Sequence, residues 1–149
     1  MKELILRSIE TSIEIDASPA LVWEVFADFE RYPEWNPFVA SLHGKVAMGE
    51  RIEARLTPPG GKGMTFKPRV TAFTAGTELH WLGHLMVPGL FDGEHQFTLQ
   101  PIDESRTRFV QREDFTGLLV PLVLRMVGKS TQQGFEAMNA ALKQRVEGS

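Results

Sequence analysis

At 149 residues, with 42% hydrophobic and 23% charged side chains, the chain has the make-up of one soluble globular domain large enough for a real core. A formal charge of −3 with no basic run argues against nucleic acid, and against an anionic membrane surface as the main partner. The lack of cysteine excludes disulfides, thiolate metal sites and thiol catalysis, and fits a cytoplasmic location.

In chain order, residues 1–7 are too short and too charged for a signal peptide or membrane span, so stable membrane insertion is not expected. Residues 8–15 alternate and predict a first strand. Ser18 then reads as an N-cap and Pro19 as the first helical position, with Val22, Val25, Phe26 and Phe29 at helical spacing. A short second helix is predicted around residues 32–35, stopped by Pro37, which pushes Asn36 out of helical geometry. From Phe38 to Phe115 the chain reads mostly as strands: Ile52, Ala54 and Leu56 alternate, residues 58–63 form a loop, and residues 66–73 and 79–84 follow. Pro68 inside one of these predicts an edge strand or a bulge. From about Leu118 the pattern turns helical, with Leu119, Val123, Met126, Val127, Phe135, Met138 and Leu142 on one broad stripe. Gly128 and Gly134 interrupt it, each costing about 1 kcal/mol relative to alanine, which suggests a packing or ligand-related reason. No repeat or linker divides the chain, so one domain over residues 1–149 is expected, of α+β class.

The most informative segment is a hairpin, outbound over residues 93–100 and returning over 107–115. Strand alternation puts His95 on one face with Phe97 and Leu99, and Gln111 and Glu113 on one face with Phe109 and Phe115. A turn at residues 102–105 sets Leu99 against Phe109, Phe97 against Gln111 and His95 against Glu113, with Arg108 and Arg112 facing solvent. Polar groups do not stay unpaired in a packed core, so an inward imidazole, amide and carboxylate point to a cavity.

The element order, with residues 17–23 (ASPALVW), 32–37 (YPEWNP) and 113–118 (EDFTGL), resembles the START/pollen-allergen (SRPBCC) superfamily over about residues 8–146. Within it the chain is most similar to polyketide cyclase/dehydrase-like and coenzyme-Q-binding-like small bacterial proteins. The resemblance implies a helix-grip fold: a curved antiparallel sheet of seven or so strands around a long C-terminal helix, with a deep apolar cavity between them. It also implies binding of lipids, sterols, polyketides, quinones or plant hormones, with catalysis in a minority of members.

The expected ligand-contacting set is Trp35, Asn36, Trp81, Phe91, His95, Phe97, Gln111, Glu113, Met126 and Phe135. His95 and Glu113 are the candidate catalytic pair, a carboxylate beside an imidazole that favours its charged form and lifts its titration above about 6.5. The plainer reading is a polar pair that orients a ligand or satisfies itself. Trp81 can equally be core and Trp35 a cover over the helix pair. The apolar connection at residues 85–91 reads as a lid, a contact surface, or packing against the long helix. His80 and His84 share a face opposite Leu79 and Trp81, predicting solvent exposure; no metal and no cofactor are expected. Residues 58–63 lack the Gly-Lys-Ser/Thr ending of a phosphate loop. The first function expected is non-catalytic binding or transport of a small hydrophobic ligand. The alternative is a cyclase/dehydratase-type enzyme with His95 and Glu113 as acid and base, and a protein-interaction module is a weaker third. A homodimer is left open.

Overall fold

The computed structural model describes residues 7–85 and 87–148. The reading of the N-terminal residues 1–6 therefore lies outside the described residues, as does Met86 of the apolar connection. Strand β1 (Arg7–Ile15) leads into helix α1 (Pro19–Phe26), a 3-10 turn (Phe29–Arg31) and the one-turn helix α2 (Tyr32–Trp35). Seven strands follow: β2 (Val39–His43), β3 (Glu53–Leu56), β4 (Met64–Phe66), β5 (Arg69–Thr74), β6 (Glu78–Leu85), β7 (Phe91–Asp103) and β8 (Arg106–Thr116). Helix α3 (Val120–Glu147) closes the chain.

The local chemistry accounts for these boundaries. Ser18 Oγ accepts from the Leu21 N–H at 3.2 Å and Pro19 fills the first helical position, where its missing N–H leaves no vacancy in the ladder. Asn36 leaves helical geometry before Pro37, and its Oδ1 accepts from the Phe38 and Val39 N–H groups at 3.0 and 2.9 Å, turning the chain into β2.

The strands form a helix grip from two antiparallel sheets, β1-β8-β7-β6-β5 and β2-β3-β4, rather than one sheet of seven strands. The single run expected over residues 66–73 is broken at Lys67–Pro68, because proline has no N–H for a ladder. An isolated Arg51–Arg69 bridge joins the sheets there, and Pro68 contributes its carbonyl, which accepts from the Ile52 N–H at 2.9 Å.

The hairpin has the predicted register, with Leu99 opposite Phe109, Phe97 opposite Gln111 and His95 opposite Glu113. Phe97, Leu99, Phe109 and Phe115 are buried, while Arg108 and Arg112 reach solvent on the other face, paired with Glu14 and Glu10. On the inner face Phe26 of α1 packs on Phe97 and Phe109 at ring separations of 5.4 and 5.5 Å.

α3 buries Leu124, Phe135, Met138, Leu142 and Val146 against the sheet. Its two glycines differ. A Cβ on Gly134 would collide with the Phe38 ring, so glycine there lets Phe38, just before β2, sit directly on the helix backbone. A Cβ on Gly128 would meet only Leu124 Cβ at 3.7 Å, ordinary contact, so no packing reason holds glycine at that position. Gly134→Ala should therefore destabilise by about 1–3 kcal/mol through overpacking, and Gly128→Ala should stabilise by up to about 1 kcal/mol. Urea unfolding of the two variants checks this; equal effects would contradict the assigned contact.

Candidate functional site

A cavity of about 350 Å³ opens between the inner face of the sheets and the first half of α3. It exists because side chains are missing where two strands face it. Gly83 of β6 and Gly93 of β7 are cross-strand partners on its wall, at positions where alternation would otherwise place inward side chains. A Cβ on Gly83 would find only Pro68 Cβ at 3.8 Å, whereas one on Gly93 would strike Glu113 Oε2. The first glycine leaves space; the second makes room for a carboxyl. Phe38, Trp81, Phe91 and Phe115 complete the inner wall, and Val123, Leu124 and Val127 of α3 face them.

Glu113 lines this cavity and makes no hydrogen bond among the described residues. Its polar neighbour is His95 Nδ1, 3.9 Å from Oε1, within ion-pair reach but too far for a hydrogen bond. His95 lies behind the wall, 1% exposed, stacked on Phe97 at 4.1 Å and flanked by Phe135 at 4.6 Å and Trp81 at 5.5 Å. Its Nε2 lies 2.9 Å from Gln111 Oε1.

The position of the imidazole proton follows from the partners. Gln111 Nε2 donates to the Phe135 carbonyl at 3.1 Å and to Asn139 Oδ1 at 2.8 Å. A backbone carbonyl only accepts, which fixes the amide orientation and leaves Gln111 Oε1 facing the ring. His95 Nε2 must therefore carry a hydrogen, and in a neutral ring Nδ1 presents a lone pair to Glu113. Asn139 Nδ2 passes the chain outward to Thr11 Oγ1 at 2.9 Å.

The expectation that the carboxylate would hold a charged histidine is overturned. Burial among aromatic rings pushes the imidazole down to about 3, outweighing the Gln111 hydrogen bond that favours the charged form, and the neighbouring His80 pushes the same way. Burial pushes the Glu113 carboxyl up to about 8, with Asp114 beside it adding in that direction. The 18% of the Glu113 side chain that stays accessible faces the cavity rather than bulk water, so desolvation dominates there too. At neutral pH the pair is a neutral imidazole and a protonated carboxyl. The separation of 3.9 Å is too long for Coulomb attraction to repay two desolvated charges.

The remaining expected residues divide plainly. Trp81, Phe91 and Glu113 line the cavity; His95, Phe97, Gln111 and Phe135 form the layer behind it. Met126 is corrected outright: it is 77% exposed on the outer face of α3. Trp35 sits in a shallow depression with Ala141, Gln144 and Arg145, roughly 25 Å along the helix from the cavity mouth. Asn36 is buried as a turn-forming residue, away from the cavity. His80 and His84 are half-buried rather than solvent-exposed, and His84 Nδ1 lies 2.7 Å from the buried Asp92 Oδ1. Among the described residues no group of three or more histidines and carboxylates is arranged to hold a metal. Phe38, Gly83 and Leu124 went unnoticed as wall residues; the glycine at an inward position of β6 was the available signal.

The two shifts give a pH dependence. His95 titrates lower folded than its ordinary 6.5, so its contribution is complete above 6.5 and is lost as pH falls toward 3. Glu113 titrates higher folded than its ordinary 4.5, so its contribution is complete below 4.5 and is lost as pH rises toward 8. Between 4.5 and 6.5 the opposite slopes cancel, so this pair gives a stability plateau that falls off on both sides. From 6.5 to 8 the loss is about 2 kcal/mol. In Glu113→Gln the alkaline fall should vanish and the acid fall should begin near 6.5 instead of 4.5. Denaturant unfolding across pH reads both limbs; parallel profiles for the two proteins would contradict the assignment.

The same architecture recurs in solved structures of low sequence identity. The Zhui aromatase/cyclase from Streptomyces sp. R1128 is 18% identical, covering 95% of this chain and 93% of its own, with a TM-score of 0.76. A transition-state-analogue complex of a norcoclaurine synthase point mutant from Thalictrum flavum is 14% identical over 95% and 94%, with a TM-score of 0.72. A START superfamily protein from Mycobacterium smegmatis is 18% identical over 93% and 98%, with a TM-score of 0.66. No curated protein matches the sequence. Residues 7–147 match the family described as polyketide cyclase/dehydrase and lipid transport, and the chain, with its helix grip and enclosed apolar cavity, belongs to that family.

Proposed function

We propose that the protein binds a small, largely apolar molecule in the cavity, with the Glu113 carboxyl as the anchor for a polar group on that molecule. The observation that carries this reading is a carboxyl with no hydrogen-bond partner among the described residues, facing an otherwise apolar space. Ligand sites of roughly 300–1,000 Å³ combine such a lining with a few convergent polar groups, and this cavity of about 350 Å³ is of that kind. At its rim the Ser130 and Thr131 hydroxyls are already engaged, donating to the Val127 carbonyl at 3.1 and 2.8 Å, and His84 lies on Asp92, whereas Lys62 is exposed with no ion-pair partner among the described residues. A protonated Glu113 donates, so it suits a carbonyl or ether oxygen and disfavours a ligand carboxylate. The family's lipid and polyketide associations fit such a molecule.

A second reading is an acid/base enzyme of the cyclase/dehydratase type, in line with the name of the aromatase/cyclase it resembles. The observation favouring it is a carboxyl that keeps its proton to about pH 8 beside the unprotonated Nδ1 of His95.

Native mass spectrometry of protein purified from its own host should show a bound species that denaturation releases. Gly83→Val, which puts a branched side chain into open space, should weaken that complex at least about tenfold while leaving the unfolding midpoint unchanged or raised. Wild-type occupancy in that variant would contradict the cavity as the site. Glu113→Gln should keep binding within a few-fold under either reading, and loss of turnover in that variant, with binding intact, would favour the enzyme.

A further inference from the structure

The cavity mouth differs chemically from the rest of the surface. Of nine exposed large hydrophobic side chains among the described residues, Met64 and Val127 line the cavity, and Val87, Leu118, Leu122 and Met126 lie on the connection and helix start that adjoin it, Leu122 and Met126 on the outer face of α3. Leu118 is 82% exposed and Leu122 58%. They project from three segments: the start of β4, the β6–β7 connection, and the β8–α3 turn with the start of α3. Leu122 and Met126, four residues apart, share one helix face turned outward. The segments are fastened together, with the Leu118 and Leu119 N–H groups donating to the Gly89 and Leu90 carbonyls at 3.3 and 2.8 Å. Gly117, at φ +120°, permits this approach, because a Cβ there would strike the Leu90 carbonyl.

Charge is segregated in the same place. Residues 57–68, 85–91 and 117–131 carry four basic residues, Lys62, Lys67, Arg125 and Lys129, and no acidic one, while the remainder carries 12 basic against 19 acidic. All four are exposed and have no ion-pair partner among the described residues. Elsewhere Arg31, Arg106, Arg108, Arg112, Lys143 and Arg145 are paired with carboxylates, while Arg7, Lys45, Arg51, Arg55 and Arg69 have no such pair among the described residues, so it is the absence of acidic residues rather than of pairing that sets this end apart. The low net charge of the whole chain conceals this end.

We propose that the cavity mouth is a peripheral docking face for an anionic lipid bilayer, with Leu122, Met126 and Val87 entering the interface and Lys62, Arg125 and Lys129 meeting lipid phosphates. Protruding aliphatic side chains ringed by unpaired cations suit a bilayer, which accepts them without a complementary shape. A protein partner would be met by aromatic anchors, and no aromatic residue is among the exposed large hydrophobics. Among the described residues no helix is long and apolar enough to cross a membrane, so the contact is peripheral. The proposal goes beyond ligand binding and does not depend on the ligand's identity.

Co-sedimentation with vesicles of equal parts phosphatidylglycerol and phosphatidylcholine tests it, with pure phosphatidylcholine vesicles as the comparison. The full chain should partition onto the anionic vesicles at least about tenfold more strongly, and added salt should weaken it. Arg125→Glu with Lys129→Glu, and separately Leu122→Asp with Met126→Asp, should each reduce partition at least about tenfold. All four sites are exposed, so unchanged unfolding midpoints are expected, and cavity binding measured by native mass spectrometry should persist in both variants. Absence of partition by the wild type, equal partition onto the two vesicle types, or wild-type partition by either variant overturns the proposal. Binding to soluble polyglutamate as tight as to the anionic vesicles, and unaffected by Leu122→Asp with Met126→Asp, would assign the face to an acidic protein and overturn it too.

Discussion

The Gln111 side chain is the contact on which the site depends. One buried amide on β8 reaches two other elements: it accepts from His95 on β7 and donates to the Phe135 carbonyl and to Asn139 Oδ1 on α3. It thereby ties the sheet to the helix that the sheet grips, and it dictates which ring nitrogen of His95 carries hydrogen. With Nε2–H committed to Gln111, a lone pair is left pointing toward Glu113, and the proton that would balance a charged pair stays on the carboxyl. An apolar replacement at Gln111 would leave Asn139 Oδ1 and the imidazole N–H unpaired in the core, each at a cost of about 1–3 kcal/mol.

Around that polar thread the cavity is made by omission. Gly83 and Gly93 withhold side chains from facing positions of two strands, and Gly134 lets Phe38 sit on α3. Tight aromatic packing behind the wall keeps His95 dry, while the opening in front gives Glu113 a low-dielectric space rather than bulk water. The unusual titration of both groups therefore has the same origin as the cavity itself. A molecule that brings an acceptor to Glu113 would supply the hydrogen bond that the protein does not.

Period-two alternation made the hairpin legible in the sequence. Phe97, Leu99, Phe109 and Phe115 could be placed inside, and His95 set opposite Glu113, because a one-residue slip would have exposed all of them. The proton on the pair was not legible, since it turns on a 3.9 Å gap and on burial from elements remote in sequence. Met126 was misplaced because a broad stripe was read without its angles: at about 100° per residue it lies about 180° from Phe135, whereas Leu124 lies about 20° from it. Leu124 is buried and Met126 exposed accordingly. Trp35 was misplaced for want of tertiary information, since only the fold shows which end of α3 it meets. The basic end was hidden for the same reason: its cations come from separate segments and form no run.

The neutral pair is the claim from which ligand chemistry, pH behaviour and wall architecture all follow. Imidazole ¹⁵N chemical shifts of His95 at pH 7 report it directly, because they distinguish the two tautomers and the imidazolium. A neutral ring protonated at Nε2, unchanged down to about pH 5, is the predicted result. An imidazolium signal at pH 7, or a neutral ring protonated at Nδ1, would contradict the account.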